Sequence, residues 1–445
     1  MKNASVIQRI LRPSVAGALL AVLAMPAGAV DLKTADGSWT FSIDGNVNVD
    51  YIFSSCQSAG NAIGIAGGQG LTCVGSANGS NVSNISNGLL PAAFSFGVAT
   101  TQDGIDLAAH LGLYPGIATN DGGSPNLQGG TGNGSSNTAL GSTGLDIRQV
   151  YMTFGNKDMG TFTLGRNIGL FGADAILNDM TLPGVGAPGS AAGPAPSNTT
   201  LGGIGFGYIY TDWLAQIDYT TPDFSGFSVT LGIFDPINSL SDAATVEAKK
   251  APGFHAKIVY TMPFSEGNKL YLSATVLTQQ QDYATGLTTG PATYSYTGTG
   301  EDIFAKLDIQ DWELIGYYYH ATGLGSTALF DGGAFVNAGF ADTRKSSGYL
   351  AQTTYKFGPV KVGFNYGRSN LDYADAFDAA ANPNLLSNNT KYTLGVYYSL
   401  TKNLTLLAEG SRVKSTAQND LPSANGGLSD SNSATTVNIG AYLGF

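Results

Sequence analysis

The sequence predicts an all-β fold, a transmembrane antiparallel β-barrel of about sixteen strands. Two observations lead to this prediction. Apolar and polar residues alternate strictly over many segments of roughly ten residues, and short turns alternate with long polar loops along the chain. Composition agrees: only 12 % of residues are charged, where about 25 % is usual, and Gly accounts for 61 of 445 residues.

The segment Phe41–Phe53 shows the alternation clearly. Its odd positions are mainly apolar, and its even positions are polar except for Ile52. Successive side chains on a strand point to opposite faces, so this strand has one apolar and one polar face. That is the pattern of a barrel with lipid outside and water inside.

The connections fix the strand count and the topology. Seven short turns alternate with eight long polar loops, near 54–89, 115–143, 167–202, 235–252, 278–300, 321–345, 369–389 and 413–434. Fifteen connections require sixteen strands, with both chain ends on the side of the short turns, which is the periplasmic side. We therefore expect loops 54–89 and 413–434 outside the cell.

The N-terminus predicts export. Lys2, Arg9 and Arg12 precede an apolar run at 15–25, and a small-residue site ends at Ala29. This layout is typical of a cleaved signal peptide at 1–29, leaving a barrel domain at 30–445. The alternative is an N-terminal anchor helix, for which the run is short, because a spanning helix needs about 20 apolar residues.

Charge and cysteine content restrict the possible partners and the compartment. Loss of 1–29, which holds three basic and no acidic residues, would take the net charge from −11 to −14. So acidic a chain argues against a nucleic-acid partner. Cys56 and Cys73 lie in one polar segment, and after export we expect them to form a disulfide, with two free thiols as the alternative.

Catalytic signals are weak. His110, His255 and His320 lie beside alternating apolar residues, so we interpret them as lumen-lining side chains. The sequence has neither an HExxH motif nor a Cys-His cluster with metal spacing. We predict no catalytic residues, no cofactor and no metal site.

The stretch 146–184 and the C-terminus carry a family resemblance. Arg148 opens one strand, Gly165-Arg166-Asn167 ends the next, and a loop with Asn178-Asp179-Met180 and Pro183 follows. The chain also ends on an aromatic residue, Phe445. In these features the sequence resembles the general porins of Gram-negative bacteria.

The resemblance implies a pore with a constriction. It implies a third loop folded into the barrel, where Asp174 and Asp179 would face Arg148 and Arg166 across a water-filled channel. It also implies a homotrimer in outer-membrane lipid and lipopolysaccharide that passes small hydrophilic solutes. The third loop holds only these two acids, so we expect a constriction of low charge.

The inward strand faces predict the sign of ion selectivity. Alternation places Asp146, Lys257, Lys306 and Asp308 on the lumen wall, and acids outnumber bases on the predicted inward faces. A negative wall concentrates cations, so we predict weak cation preference.

Three other functions remain compatible with the sequence. One is a substrate-specific outer-membrane channel, with Tyr317 and Tyr319 on one lumen face as the start of an aromatic track. Another is a surface adhesin or receptor whose loops act on a barrel scaffold. The third is a membrane-embedded hydrolase.

Overall fold

The structure, a computed structural model, describes residues 30–57, 71–72, 81–117, 145–188, 199–238, 246–247, 250–284, 293–337, 340–418 and 430–445. The expected signal peptide at 1–29 and Cys73 lie outside the described residues, as do the centres of several expected outer loops.

The described chain is built almost entirely from strands. They are β1 (Val30–Lys33), β2 (Trp39–Cys56), β3 (Asn81–Ser86), β4 (Ala93–Gln102), β5 (Ile105–Pro115), β6 (Leu145–Asn156), β7 (Gly160–Ile168), β8 (Trp213–Thr220), β9 (Phe227–Phe234), β10 (Val246–Glu247), β11 (Gly253–Ser265), β12 (Asn268–Ala284), β13 (Thr293–Ile309), β14 (Trp312–Thr322), β15 (Ala334–Asn337), β16 (Phe340–Thr343), β17 (Lys345–Phe357), β18 (Val360–Leu371), β19 (Leu386–Ser399), β20 (Leu404–Ala417) and β21 (Ser431–Gly444). Two short helices, α1 (Ala173–Leu177) and α2 (Ala376–Ala381), lie in loops. Neither helix of the described ranges is long and apolar enough to cross a membrane.

Sixteen of these strands close into an antiparallel barrel, which confirms the predicted fold. The ring runs β2, β4 to β9, β11 to β14, and β17 to β21, and β21 pairs back onto β2. The remaining strands are accessory: β1 and β3 lie on β2, β10 lies on β12, and β15 and β16 form a separate hairpin. Every strand of the wall is therefore paired on both sides, as a wall inside lipid requires.

The two faces of the wall follow the predicted alternation. On β2, Asn48 and Asp50 are buried inside, whereas Val49 and Tyr51 are exposed on the outer face. Outward apolar side chains continue around the barrel and include Ile303 on β13 and Ile439 on β21. The outer face is apolar enough to contact lipid.

Cys56 lies at the outer end of β2 and is engaged in a disulfide. Since Cys73 is outside the described residues, the Cys56–Cys73 pairing stays a prediction.

One strand begins later than the sequence suggests. Apolar residues alternate from Ile204 to Tyr210 and mimic a strand, yet β8 begins only at Trp213. Gly205 and Gly207 have positive φ angles of 73° and 139°, which break an extended conformation. These residues belong instead to a longer third loop inside the barrel.

Candidate pore constriction

The third loop, residues 169–212, folds into the barrel between β7 and β8, and we call it the inward loop. Its described parts, 169–188 and 199–212, are mostly buried, and α1 lies near its start. Because the loop passes along the wall, its backbone amides and carbonyls need partners there.

Polar side chains of the wall supply those partners. The Asp302 carboxylate accepts from the Gly172 amide at 2.8 Å. Gln352 accepts from the Met180 amide at 2.7 Å and donates to the Asn178 carbonyl at 2.9 Å. These contacts hold the loop along β13 and β17.

Glu409 on β20 holds the far part of the loop. One oxygen of its carboxylate accepts from the Val185 and Gly186 amides, at 2.8 and 2.9 Å. The other oxygen accepts from the Tyr397 hydroxyl at 2.7 Å. A carboxylate that accepts from two backbone amides makes charge-assisted hydrogen bonds, which are stronger than neutral ones.

The two acids of the inward loop pair with lysines of the wall. Asp174 lies 2.6 Å from the Nζ of Lys257, which is 4 % exposed. Asp179 accepts from the Tyr208 hydroxyl at 2.9 Å and lies 3.7 Å from the Nζ of Lys391, which is fully buried. Both acids thus join the loop to β11 and β19.

Lys391 was missing from the residues predicted by sequence. Tyr392 and Leu394 are exposed on the outer face. Because successive side chains on a strand point to opposite faces, Lys391 was already expected to point into the lumen. The signal was present, but the pairing with Asp179, 212 positions away along the chain, could not be read from a local pattern.

Arg148 lies inside the barrel on β6, with a partner on its own strand. Its guanidinium meets the Asp146 carboxylate at 3.0 Å and lies over the Tyr114 ring, 5.2 Å from the centroid. A β-bulge shifts the register here, because Gly112 pairs with Gln149 and Leu113 with Ile147. Arg148 is the extra residue of the bulge.

Arg166 was expected to face the lumen, but its position on β7 is on the outer face of the wall. It pairs in register with Val150 and Ala215, and both of these are exposed on the outer face. Residues directly opposite on paired strands share a face. Arg166 therefore lies on the outer face of the wall. The structure pairs Arg148 with Asp146 and Asp174 with Lys257, so the four residues predicted for the constriction do not face one another as a single group.

The remaining predicted wall residues form a charge network toward the periplasmic end. Lys306 lies 2.5 Å from Glu313 and 3.9 Å from Asp308, which in turn lies 3.8 Å from Lys269. Their side chains keep exposures of 20 to 46 %, so this part of the lumen is accessible to water.

The inward loop divides the lumen into two unlike sides. Against β8 to β17 it packs into an apolar core with wall side chains such as Phe304 and Tyr319. On β5 to β7, by contrast, His110, Tyr151 and Thr153 are only partly buried. These three side chains mark the part of the lumen beside β5 to β7 that the inward loop fills less completely.

The proposed aromatic track lies within the packed side. Tyr317 and Tyr319 share the lumen face of β14, but they are only 4 % and 0 % exposed. Tyr319 packs edge-on against Phe171 of the inward loop, with ring centroids 6.4 Å apart. They contribute to the core that fixes the loop.

The three histidines do not share a site. His255 lies 2.8 Å from Asp218 inside the barrel, and His110 stacks on Tyr151 at 5.0 Å. His320 contacts Glu301 on the outer face, contrary to the lumen position expected from the sequence. In the ranges that the structure describes, no group of three His, Cys, Asp or Glu residues is placed to hold a metal ion.

A closed sixteen-strand wall with an inward-folded loop and water-accessible charges in its lumen defines an outer-membrane channel. A model of the Gram-negative porins matches residues 16–418, and the chain belongs to that family. Its place is the bacterial outer membrane.

Solved structures of similar fold agree. The outer-membrane channel DcaP of Acinetobacter baumannii aligns with a TM-score of 0.63 at 16 % identity, over 93 % of this chain and 99 % of that one. An anion-selective porin from Comamonas acidovorans aligns with a TM-score of 0.55 at 15 % identity, over 92 % of this chain and 100 % of that one. OmpF of Salmonella typhi, in complex with daunomycin, aligns with a TM-score of 0.52 at 11 % identity, over 93 % of this chain and 100 % of that one. No curated protein sequence matches significantly.

Proposed function

We propose that this protein is a passive diffusion channel for small hydrophilic solutes and ions. The observation that carries the proposal is the position of the inward loop, which wall side chains of β11 to β20 hold to one side of the lumen. A loop held in this way narrows the barrel without needing to move. The partly exposed polar side chains of β5 to β7 are then the wall of the remaining path.

The channel prefers cations weakly in this proposal. In the described strands, the inward acids are Asp44, Asp50, Asp106, Asp146, Asp218, Asp302, Asp308, Glu313 and Glu409, and the inward bases are Arg148, Lys257, Lys269, Lys306, Lys356, Lys361 and Lys391. The acids outnumber the bases, and a fixed negative wall raises the local concentration of cations.

Recordings in planar bilayers test both parts. We expect ohmic single-channel currents and a reversal potential of cationic sign in a KCl gradient. The preference should fade as salt rises, since the screening length falls from about 10 Å at 0.1 M to about 3 Å at 1 M. A protein without conductance would favour an adhesin or receptor, and saturation by one solute would favour a substrate-specific channel. An anionic reversal potential would contradict the cation preference alone.

Export and assembly complete the proposal. Residues 1–29 are removed as a signal peptide, and the 30–445 barrel assembles as a homotrimer in lipid and lipopolysaccharide. The apolar outer face supports this arrangement, since it provides the surface for both lipid and neighbouring subunits.

For the trimer, we expect a complex of three chains after extraction in mild detergent, and channel closure in three equal current steps. Monomers only, with single-step closure, would contradict it. The measurement is the mass of the detergent complex, corrected for bound detergent.

A further inference from the structure

A second loop also folds into the barrel. It joins β14 to β17 through residues 323–344, of which the structure describes 323–337 and 340–344, and we call it the capping loop. Its side chains Leu324 and Phe330 are 0 % and 1 % exposed and lie against the inner face of β13. Gly298 and Gly300 on β13 allow these side chains to pack directly on the strand, because a Cβ at either position would lie within 3 Å of them.

The capping loop and the inward loop form one layer. The Tyr210 amide of the inward loop donates to the Thr327 carbonyl at 2.8 Å, beside a parallel bridge to Ala328. At Gly300, Leu324 of the capping loop and Phe171 of the inward loop lie over the same position. The two loops therefore share one apolar core on the β13 to β17 side of the lumen.

A buried ion pair fastens the base of the capping loop. Arg344 donates from Nε and Nη2 to the two oxygens of Asp378, both at 2.7 Å, and from Nη1 to the Gly332 carbonyl at 3.1 Å. Asp378 belongs to α2 in the next outer loop and is fully buried. We call this pair the latch.

The latch is stable at neutral pH. Burial alone would raise the pKa of Asp378, but hydrogen bonds from Arg344 and from the Ala374 amide outweigh it and hold the pKa below 3.8, its ordinary value. The pair therefore stabilises the fold fully at any pH above the pKa that this carboxyl has in the unfolded chain. The stabilisation is lost only as pH falls through the lower pKa of the folded state.

We propose that the capping loop is a second constriction element, which closes the outer mouth above the β13 to β17 side and sets the upper size of the solutes that pass. The proposal rests on the channel function proposed above. With this loop in place, solutes reach the lumen only on the side of β5 to β7. Without it, the apolar core loses its outer layer and the mouth widens.

The register of the strands allows the capping loop to be deleted. Thr322 pairs with Lys345, so residues 323–344 can be replaced by Asn-Gly, the sequence preferred in two-residue hairpin loops. We expect about a twofold rise in single-channel conductance, which follows the open width of the pore, and faster uptake of larger neutral sugars into proteoliposomes.

A point change tests the same element without deletion. Asp378→Asn removes the charge that Arg344 faces, and we expect conductance between that of the parent and that of the deletion variant. Asp372→Asn is the matched control, because Asp372 is exposed in the same outer loop and lies outside the latch. Its conductance should equal that of the parent.

The outcomes separate the two proposals. A parent protein that does not conduct would overturn the channel function. A conducting parent whose deletion variant and Asp378→Asn variant both keep the parental conductance and sugar cut-off would overturn the capping loop's role alone. Should the deletion variant fail to assemble, the Asp378→Asn result decides the question by itself.

Discussion

Lys257→Met should release the first part of the inward loop and make the open-channel current unsteady. The change leaves the Asp174 carboxylate, which is 12 % exposed, without the cation that now lies 2.6 Å away. Removing one partner of a buried pair costs about 3–5 kcal/mol. The strand ladder of the wall does not depend on this pair, so the loop leaves the wall while the barrel stays folded.

Noise in single-channel recordings measures this release, and thermal unfolding of the barrel should change little. The double variant Lys257→Met/Asp174→Asn should restore a quiet current, because the asparagine oxygen can still accept from the Tyr271 hydroxyl. Lys356→Met is the control, since it removes the same charge from an exposed inward position of β17. Equal noise in Lys257→Met and Lys356→Met would show that the pair does not hold the loop.

The sequence predicted the wall well because the signals of a barrel wall are local. Alternation depends on neighbouring residues, so the strand around Val49 and the count of sixteen could both be found. Odd and even positions no longer predict the inward and outward faces where the backbone departs from a regular strand. The bulge at Arg148 puts both Arg148 and Gln149 inside, and Arg166 falls in register with outward residues.

The contents of the lumen were harder to predict, because they depend on contacts between distant segments. Asp174 and Asp179 were identified as inward-loop acids, yet the sequence offered no means of matching them to Lys257 and Lys391. The capping loop was interpreted as part of an outer loop at 321–345. Its only unusual feature is a few apolar residues such as Phe330, which a solvated loop would rarely need.

Opposite single substitutions at the Asp146–Arg148 pair should shift ion selectivity in opposite directions. Arg148→Ser leaves a negative charge on the lumen face of β6, so the reversal potential should move toward cation preference. Asp146→Asn leaves a positive charge at the same place, so the potential should move toward anions. Removing one member of a buried ion pair costs about 3–5 kcal/mol if the site stays dry, which favours recruitment of water or a counter-ion from the channel.

The controls separate local charge from net charge. The double variant Arg148→Ser/Asp146→Asn restores neutrality and should return the reversal potential close to the parental value. Arg412→Ser removes the same side chain from an exposed outward position, where its partners are Thr435 and Ser433, and should leave the potential unchanged. If Arg148→Ser and Asp146→Asn shift the potential in the same direction, or not at all, the pair lies off the ion path and the constriction must be sought elsewhere on the wall.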